Sequence, residues 1–488
     1  MLDAYCWPQS ALPGDAVALH VSSDAGSVGV EVARTGATVE WVWEIDALPV
    51  EAHPVPADAA STGCPWPVAT SILVDAGWSS GTYLVTLTTE EERAHAFFAV
   101  RPAPDGPRAP ILLVLSTTTY AAYNDWGGPS LYTGGTRVSF ERPLARGILD
   151  KPEPAARKAQ AQPDREALGY FRWAEEHGLS PWSGGAGWWT WERPFVAWAE
   201  AEGYAIDVAV SQDLDADPTL LDGHRLFLSV GHDEYWSWSM RDAVERFVAR
   251  GGNAAFLGGN TCWWQVRFDD GGRGLTCFKY RAGEDPVLGT DQERFLTSAW
   301  ADRRIGRPEF ATTGLSFSRG GYSRYGLGVP KASGAYTVWR PDHWAFDETG
   351  LRYGDALGLA DAIVGYEVDG CELTIVDGVP TPTHADGAPE TLEVLASAPA
   401  RLWAQHEQPS RYAHEPGELE HVAAVLFGPE WREHVHRIAN NHAVVATFEV
   451  PGGGTVFNAG CTDWTYGIAG GDADVRQVTR NVLDRLAS

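Results

Sequence analysis

The chain has 488 residues, 44% of them apolar, which is enough for about two to four domains and at least one large core. Its 37 basic residues stand against 65 acidic ones, a net charge of −28. Nucleic acid and anionic membrane surfaces both need a basic footprint, so neither is expected as a partner.

The opening stretch, MLDAYCWPQS, lacks the basic start and long apolar run of a secretory signal. No apolar run is long enough to span a bilayer, so the expected location is cytoplasmic. Six cysteines (Cys6, Cys64, Cys262, Cys277, Cys371, Cys461) are scattered without a C-x-x-C pair. Buried reduced thiols are expected, not a zinc knot. The 22 Trp against 2 Met suit a pocket walled by rigid rings with donor N–H groups.

Residues 1–102 read as all-β. DAVALHVSS, SVGVEVAR, TVEWVWEI, TYLVTLTT and RAHAFFAVR are short alternating runs separated by Pro, Gly, Asp and Ser. The pattern predicts an immunoglobulin-like β-sandwich, without the Cys–Trp–Cys arrangement of antibody domains. RPAPDGPRAP contains the linker, 103–110. From 111 to 488 the period changes. ILLVLS, AIDVAVS, HRLFLSVG and NAAFLGGN are apolar strands alternating with helical stretches, among them SMRDAVERFVARGG with Ser239 and Asp242 as its start signal. This predicts a mostly parallel sheet of the flavodoxin-like or class I glutamine amidotransferase-like type. HAVVATFEVPGGGTVFNAG predicts a hairpin and 472–488 a closing helix. Residues 133–190 and 280–440 are then long insertions, and such excursions often carry function.

Open α/β sheets bind ligands beyond the carboxyl ends of their strands. At one such end stand His232, Asp233, Glu234 and Tyr235. Asp233 and Glu234 can answer the positive end of the following helix. A histidine, two carboxylates and a phenol can also hold a hard metal ion or move protons. The next strand ends in FLGGNTCWWQVRF, which offers Asn260 as an oxyanion donor and Trp263 as a wall. The first strand opens into STTTYAAYNDWGGPSLY, and Tyr120, Tyr123, Asn124 and Trp126 are expected to line the substrate pocket. Glu192 is a candidate ligand or base, with an ion pair to Arg193 as its plain alternative. His343 is a further candidate. Tyr366, Glu367 and Asp369 lie in a strand whose carboxylates can face solvent.

No G-x-S-x-G elbow, H-E-x-x-H, Walker A or strand-borne G-x-G-x-x-G occurs. Neither a serine nucleophile nor a nucleotide cofactor is expected.

TYAAYNDWGGPSLY, GHDEYWS, GGNAAFLGGNTCWWQVRF, RPDHWAFDETGLRYGD and FNAGCTDW resemble the large (β) subunit of N,N-dimethylformamidase and its relatives. The resemblance implies a hydrolase of small N-substituted amides, a ferric ion held by two tyrosines and a glutamate, and a complex with a small partner subunit. Tyr235 matches one tyrosine ligand. Where the second is implied, near 190–196, this chain has Trp191, Glu192 and Phe195. The glutamate is implied around 295–315, where Glu309 is available in GRPEF, downstream of the implied place.

The leading expectation is a C–N hydrolase acting on a small molecule, with Tyr235 on a mononuclear iron and Glu192 as a further ligand. His232, Glu234, Asn260 and His343 do its acid–base and oxyanion work. A homo-oligomer is compatible with this. The alternatives are a non-catalytic protein whose Trp-lined cleft holds a sugar-like ligand, and a metal-free amidotransferase-like enzyme.

Overall fold

The computed structural model describes residues 1–103, 105–159, 169–326, 330, 332–408 and 416–488. Pro104 of the expected linker and parts of both expected insertions lie outside that set. The chain divides into two compact units, one of residues 1–155, 174–224 and 268–276, the other of 156–173, 225–267 and 277–488.

In the first unit, alternating residues make two sheets around one core. Leu2–Trp7, Ala16–Ser23 and Val68–Leu73 form an antiparallel sheet. Val39–Pro49, Ser27–Thr35, Gly81–Thr88 and Arg93–Val100 form another, with Ser10–Ala11 parallel on its end. Inward-pointing Val17, Leu19, Val30, Val32, Val85 and Phe98 join one buried cluster. Each such side chain contributes about 1.5–3 kcal/mol by leaving water.

The compact unit also takes in residues beyond the expected sandwich, 1–102. The parallel strands Ile111–Leu115 and Ile206–Val210 belong to it. Val208 N donates to Ser80 Oγ at 2.8 Å, and Arg34 pairs with Glu200 at 2.6 Å. These bonds tie the opening of the α/β region to the β-rich one. A proline-rich stretch marks where the chain turns, and bonds of this kind decide where a compact unit ends.

In the second unit, Leu226–His232, Asn253–Gly259 and Thr455–Asn458 run parallel. Asn441–Glu449, Glu393–Ala400, Tyr336–Val338 and Ala356–Leu357 continue the sheet antiparallel. The expected C-terminal hairpin is thus part of this sheet, and Ala473–Leu486 closes it, capped by Asp472. The strands 226–232 and 253–259 are buried almost throughout, as continuous apolar runs require when both faces are covered.

The following helix, Trp238–Ala249, starts one residue before Ser239. Its cap is Ser237, whose Oγ accepts from Met240 N at 3.1 Å. The cysteines are buried and free. Among the described residues no helix is long and apolar enough to cross a membrane.

Candidate functional site

The site belongs to the second unit and begins where the strand Leu226–His232 ends. His232, Asp233, Glu234 and Tyr235 are all buried. Asp233 does not cap the helix. Its Oδ2 accepts from Ser229 Oγ at 2.8 Å, and its carbonyl accepts from Cys262 N and Trp236 Nε1. Burial pushes its carboxyl up to about 6, against these hydrogen bonds. It ties two strand ends together.

The neighbouring strand ends in Gly258 and Gly259, which let three backbones meet. A Cβ on Gly258 would lie 2.2 Å from Gly231 O, and one on Gly259 2.6 Å from Glu367 O. Asn260 follows in the left-handed region, at φ 50°. Asp369 holds that turn by accepting from Asn260 N and Thr261 N, both at 3.0 Å. Burial raises the Asp369 carboxyl to about 8, opposed by the Thr261 bond and helped by Glu309.

These backbone positions converge on His232. Its Nε2 lies 2.7 Å from Glu367 Oε2 and 3.4 Å from Glu234 Oε2. Asn260 Nδ2 donates to Glu367 Oε2 at 3.2 Å and lies 3.4 Å from His232 Nε2. Asn260 Oδ1 is buried and has no hydrogen-bond partner among the described residues. Trp264 Nε1 donates to Glu234 Oε1 at 2.7 Å. Burial alone would raise the Glu367 carboxyl, but His232, Lys158 and Asn260 hold it below the ordinary value. Lys158 Nζ donates to Tyr366 OH at 2.9 Å, beside Glu367. Burial lowers this lysine to about 8, while Glu367 and Glu234 pull the other way. A histidine shared by two carboxylates, with a carboxamide against the pair, can take up and return a proton away from bulk water.

The profile of the N,N-dimethylformamidase beta subunit-like family, C-terminal part, matches residues 29–477. The chain belongs to this family. It is 24% identical over 474 residues to the N,N-dimethylformamidase beta subunit of Alcaligenes sp, covering 87% of this chain and 54% of that protein. It is 22% identical, with the same coverage, to the N,N-dimethylformamidase beta subunit of Paracoccus aminophilus. The chain spans about half the length of the relatives it matches.

Within this family member, the structure brings together three of the residues expected to do the chemistry: His232, Glu234 and Asn260. Asn260 turns its amide nitrogen on Glu367 and His232. Trp263 is buried against Phe317, with ring centroids 5.5 Å apart. His343 lies elsewhere, in a surface groove of about 600 Å³ with Arg340, Trp344, His384, Glu393 and Arg485. Burial and the two arginines push it down to about 4, and His232 is not among the residues that line this groove.

Tyr120, Tyr123, Asn124, Trp126 and Glu192 fall in the first unit. Tyr120 and Tyr123 are buried on the helix Thr117–Tyr123, and Tyr123 packs on Tyr132 with centroids 4.1 Å apart. Asn124 ends that helix, donating to Pro143 O and accepting from Trp126 N and Ala145 N. Trp126 Nε1 donates to Asp3 Oδ1 at 3.1 Å. The structure engages both in holding loops together. Glu192 Oε1 accepts from Ser116 N at 3.2 Å.

Tyr235 is fully buried and sits in register with Trp264. The Lys279 ammonium lies 5.9 Å from its ring centroid, and 5.3 and 5.5 Å from those of Trp264 and Tyr280. A ferric centre there would need a second phenolate and a carboxylate. Among the described residues there is no group of three or more His, Cys, Asp or Glu side chains arranged to hold a metal. Glu192 and the positions 190–196, where the resemblance implies the other ligands, lie in the first unit.

Sequence reading missed Lys158, Lys279 and Tyr322, and set Glu367 aside as a candidate for solvent. The signal for Glu367 was its place in IVGYEVDG, where Tyr, Glu and Asp interrupt a run of strand residues.

Proposed function

We propose that the chain hydrolyses the C–N bond of a small amide, with His232 and Glu367 acting as one proton-transfer pair. The observation that carries this is the buried 2.7 Å contact between them, with Asn260 and Glu234 closing round it. The pair takes a proton as water attacks the carbonyl carbon. It returns a proton to nitrogen as the tetrahedral intermediate collapses, so that the leaving group departs as an amine. Asn260 orients Glu367, and its buried Oδ1 is placed to accept a hydrogen bond from the water or an N–H of the substrate. Glu234, fixed by Trp264, keeps negative charge near the imidazolium that forms. Membership of the dimethylformamidase-like family supports an amide as substrate.

On the same reading, the two-sheet region is an immunoglobulin-like support and the parallel strands an amidotransferase-like core. The relatives' name, beta subunit, supports assembly with a further subunit, and cytoplasmic location is part of the proposal.

The test is amine release from a panel of small N-substituted amides by purified protein, with elemental analysis of the same sample. Turnover by the wild type and its loss in His232→Gln support the reading. A protein that leaves every amide intact but binds sugars supports the cleft alternative. About one iron per chain, with a visible phenolate-to-iron band lost in Tyr235→Phe, would put Tyr235 in a metal shell and make the reaction metal-assisted.

A further inference from the structure

Amide hydrolysis takes one proton from the attacking water and delivers one to the departing nitrogen. The His232–Glu367 pair of the proposed hydrolase must therefore hold a proton between the two events. The strand register supplies an extension of the pair. Ser316–Tyr322 runs antiparallel to Glu367–Gly370, with Tyr322 directly opposite Glu367. The Tyr322 hydroxyl lies 3.2 Å from Glu367 Oε1 and 2.8 Å from Glu418 Oε1.

The geometry is clamped. The Tyr322 ring stacks on Trp403, with centroids 4.0 Å apart and planes 9° from parallel. The Trp403 carbonyl accepts from Leu419 N at 2.9 Å, which anchors the start of the helix Glu418–Phe427. One residue thus fixes both the phenol and the element carrying Glu418. A phenol has one hydrogen, and here it faces two carboxylates. Burial and those carboxylates hold the Tyr322 hydroxyl well above the ordinary tyrosine value, so it stays neutral and able to donate.

We propose that Tyr322 and Glu418 extend His232 and Glu367 into a four-member proton chain, with Glu418 as the second proton holder. This rests on the hydrolase reading. A proton taken by Glu367 from His232 Nε2 is offered to Tyr322 once the carboxyl turns its O–H toward the phenol. The Tyr322 oxygen accepts it as the Tyr322 hydrogen passes to Glu418 Oε1. The phenol is neutral before and after, Glu418 gains the proton, and the reverse passage delivers it back toward the amine. Tyr322 and Glu418 act through Glu367 and are positioning residues.

Glu418→Gln discriminates this from a structural role. Glutamine keeps an acceptor oxygen for Tyr322 and cannot store a proton. The chain predicts kcat lower by about 10- to 100-fold with KM unchanged, partial rescue in Glu418→Asp, and no further loss when Tyr322→Phe is added. Wild-type kcat in Glu418→Gln overturns it. Infrared difference spectra on acidification decide the point without a substrate. The Tyr322 phenol mode, identified by its loss in Tyr322→Phe, must change together with a carboxyl mode that Glu418→Gln removes. A phenol mode silent to acid overturns the chain. That coupled change in a protein turning over no amide overturns the hydrolase reading alone.

Discussion

Glu309 shows how much a single buried acid decides. It is fully buried, and its Oε1 accepts from Ser316 Oγ while Oε2 has no partner among the described residues. Burial raises its carboxyl to about 7, only partly offset by Ser316. An acid raised on folding binds protons more tightly in the native state. Its contribution is full below the ordinary carboxyl range and is lost as pH rises through about 7. The difference from 4.5 to about 7 corresponds to about 3 kcal/mol. The wild type is therefore expected to lose melting temperature between pH 5 and pH 8, and Glu309→Gln to flatten that fall; equal slopes would contradict the assignment. At this scale the sequence was partly legible. His232, Glu234 and Asn260 stand at strand ends, where position alone marks them. Glu367 and Asp369 alternate along a strand, and alternation normally places polar residues in solvent. Here every residue of that strand is buried, so the rule failed.

The strand–turn–helix around the site sets its own tests. Gly258 has no room for a side chain, because the obstacle is the Gly231 carbonyl, which cannot rotate away. Gly258→Ala is expected to cost about 2–4 kcal/mol in chemical denaturation, well above the median substitution. The helix cap offers a finer comparison. Ser237→Ala should cost about 1 kcal/mol, whereas Ser239→Ala, at an exposed position that caps nothing, should cost a few tenths at most. Equal costs would contradict the cap at Ser237. The stretch YWSWS contains two serines with the same local signal, and only the short strand Tyr235–Ser237, paired with Trp264–Asp269, selects the first. Tertiary pairing of that kind is invisible to a local pattern.

For the whole molecule, the sequence conveyed the change from β-rich to α/β more clearly than where one compact unit ends. The strands Ile111–Leu115 and Ile206–Val210 pair in parallel, as their apolar runs predict, and yet fall in the same compact unit as the β-rich region, where Val208 N donates to Ser80 Oγ. The proposed proton-transfer pair joins Leu226–His232 to Glu367–Gly370, 135 residues apart by the numbering of His232 and Glu367. No spacing rule connects such positions, so the strands and the family were legible before the pair was. The proposed hydrolysis needs that pair to act as one unit, and kinetics of His232→Gln, Glu367→Gln and the double variant test it most directly. Each single change should lower kcat for amine release by about 10²- to 10⁴-fold, and the double variant should lose little more, because groups that act together are not additive. Wild-type turnover in a folded Glu367→Gln protein would contradict it.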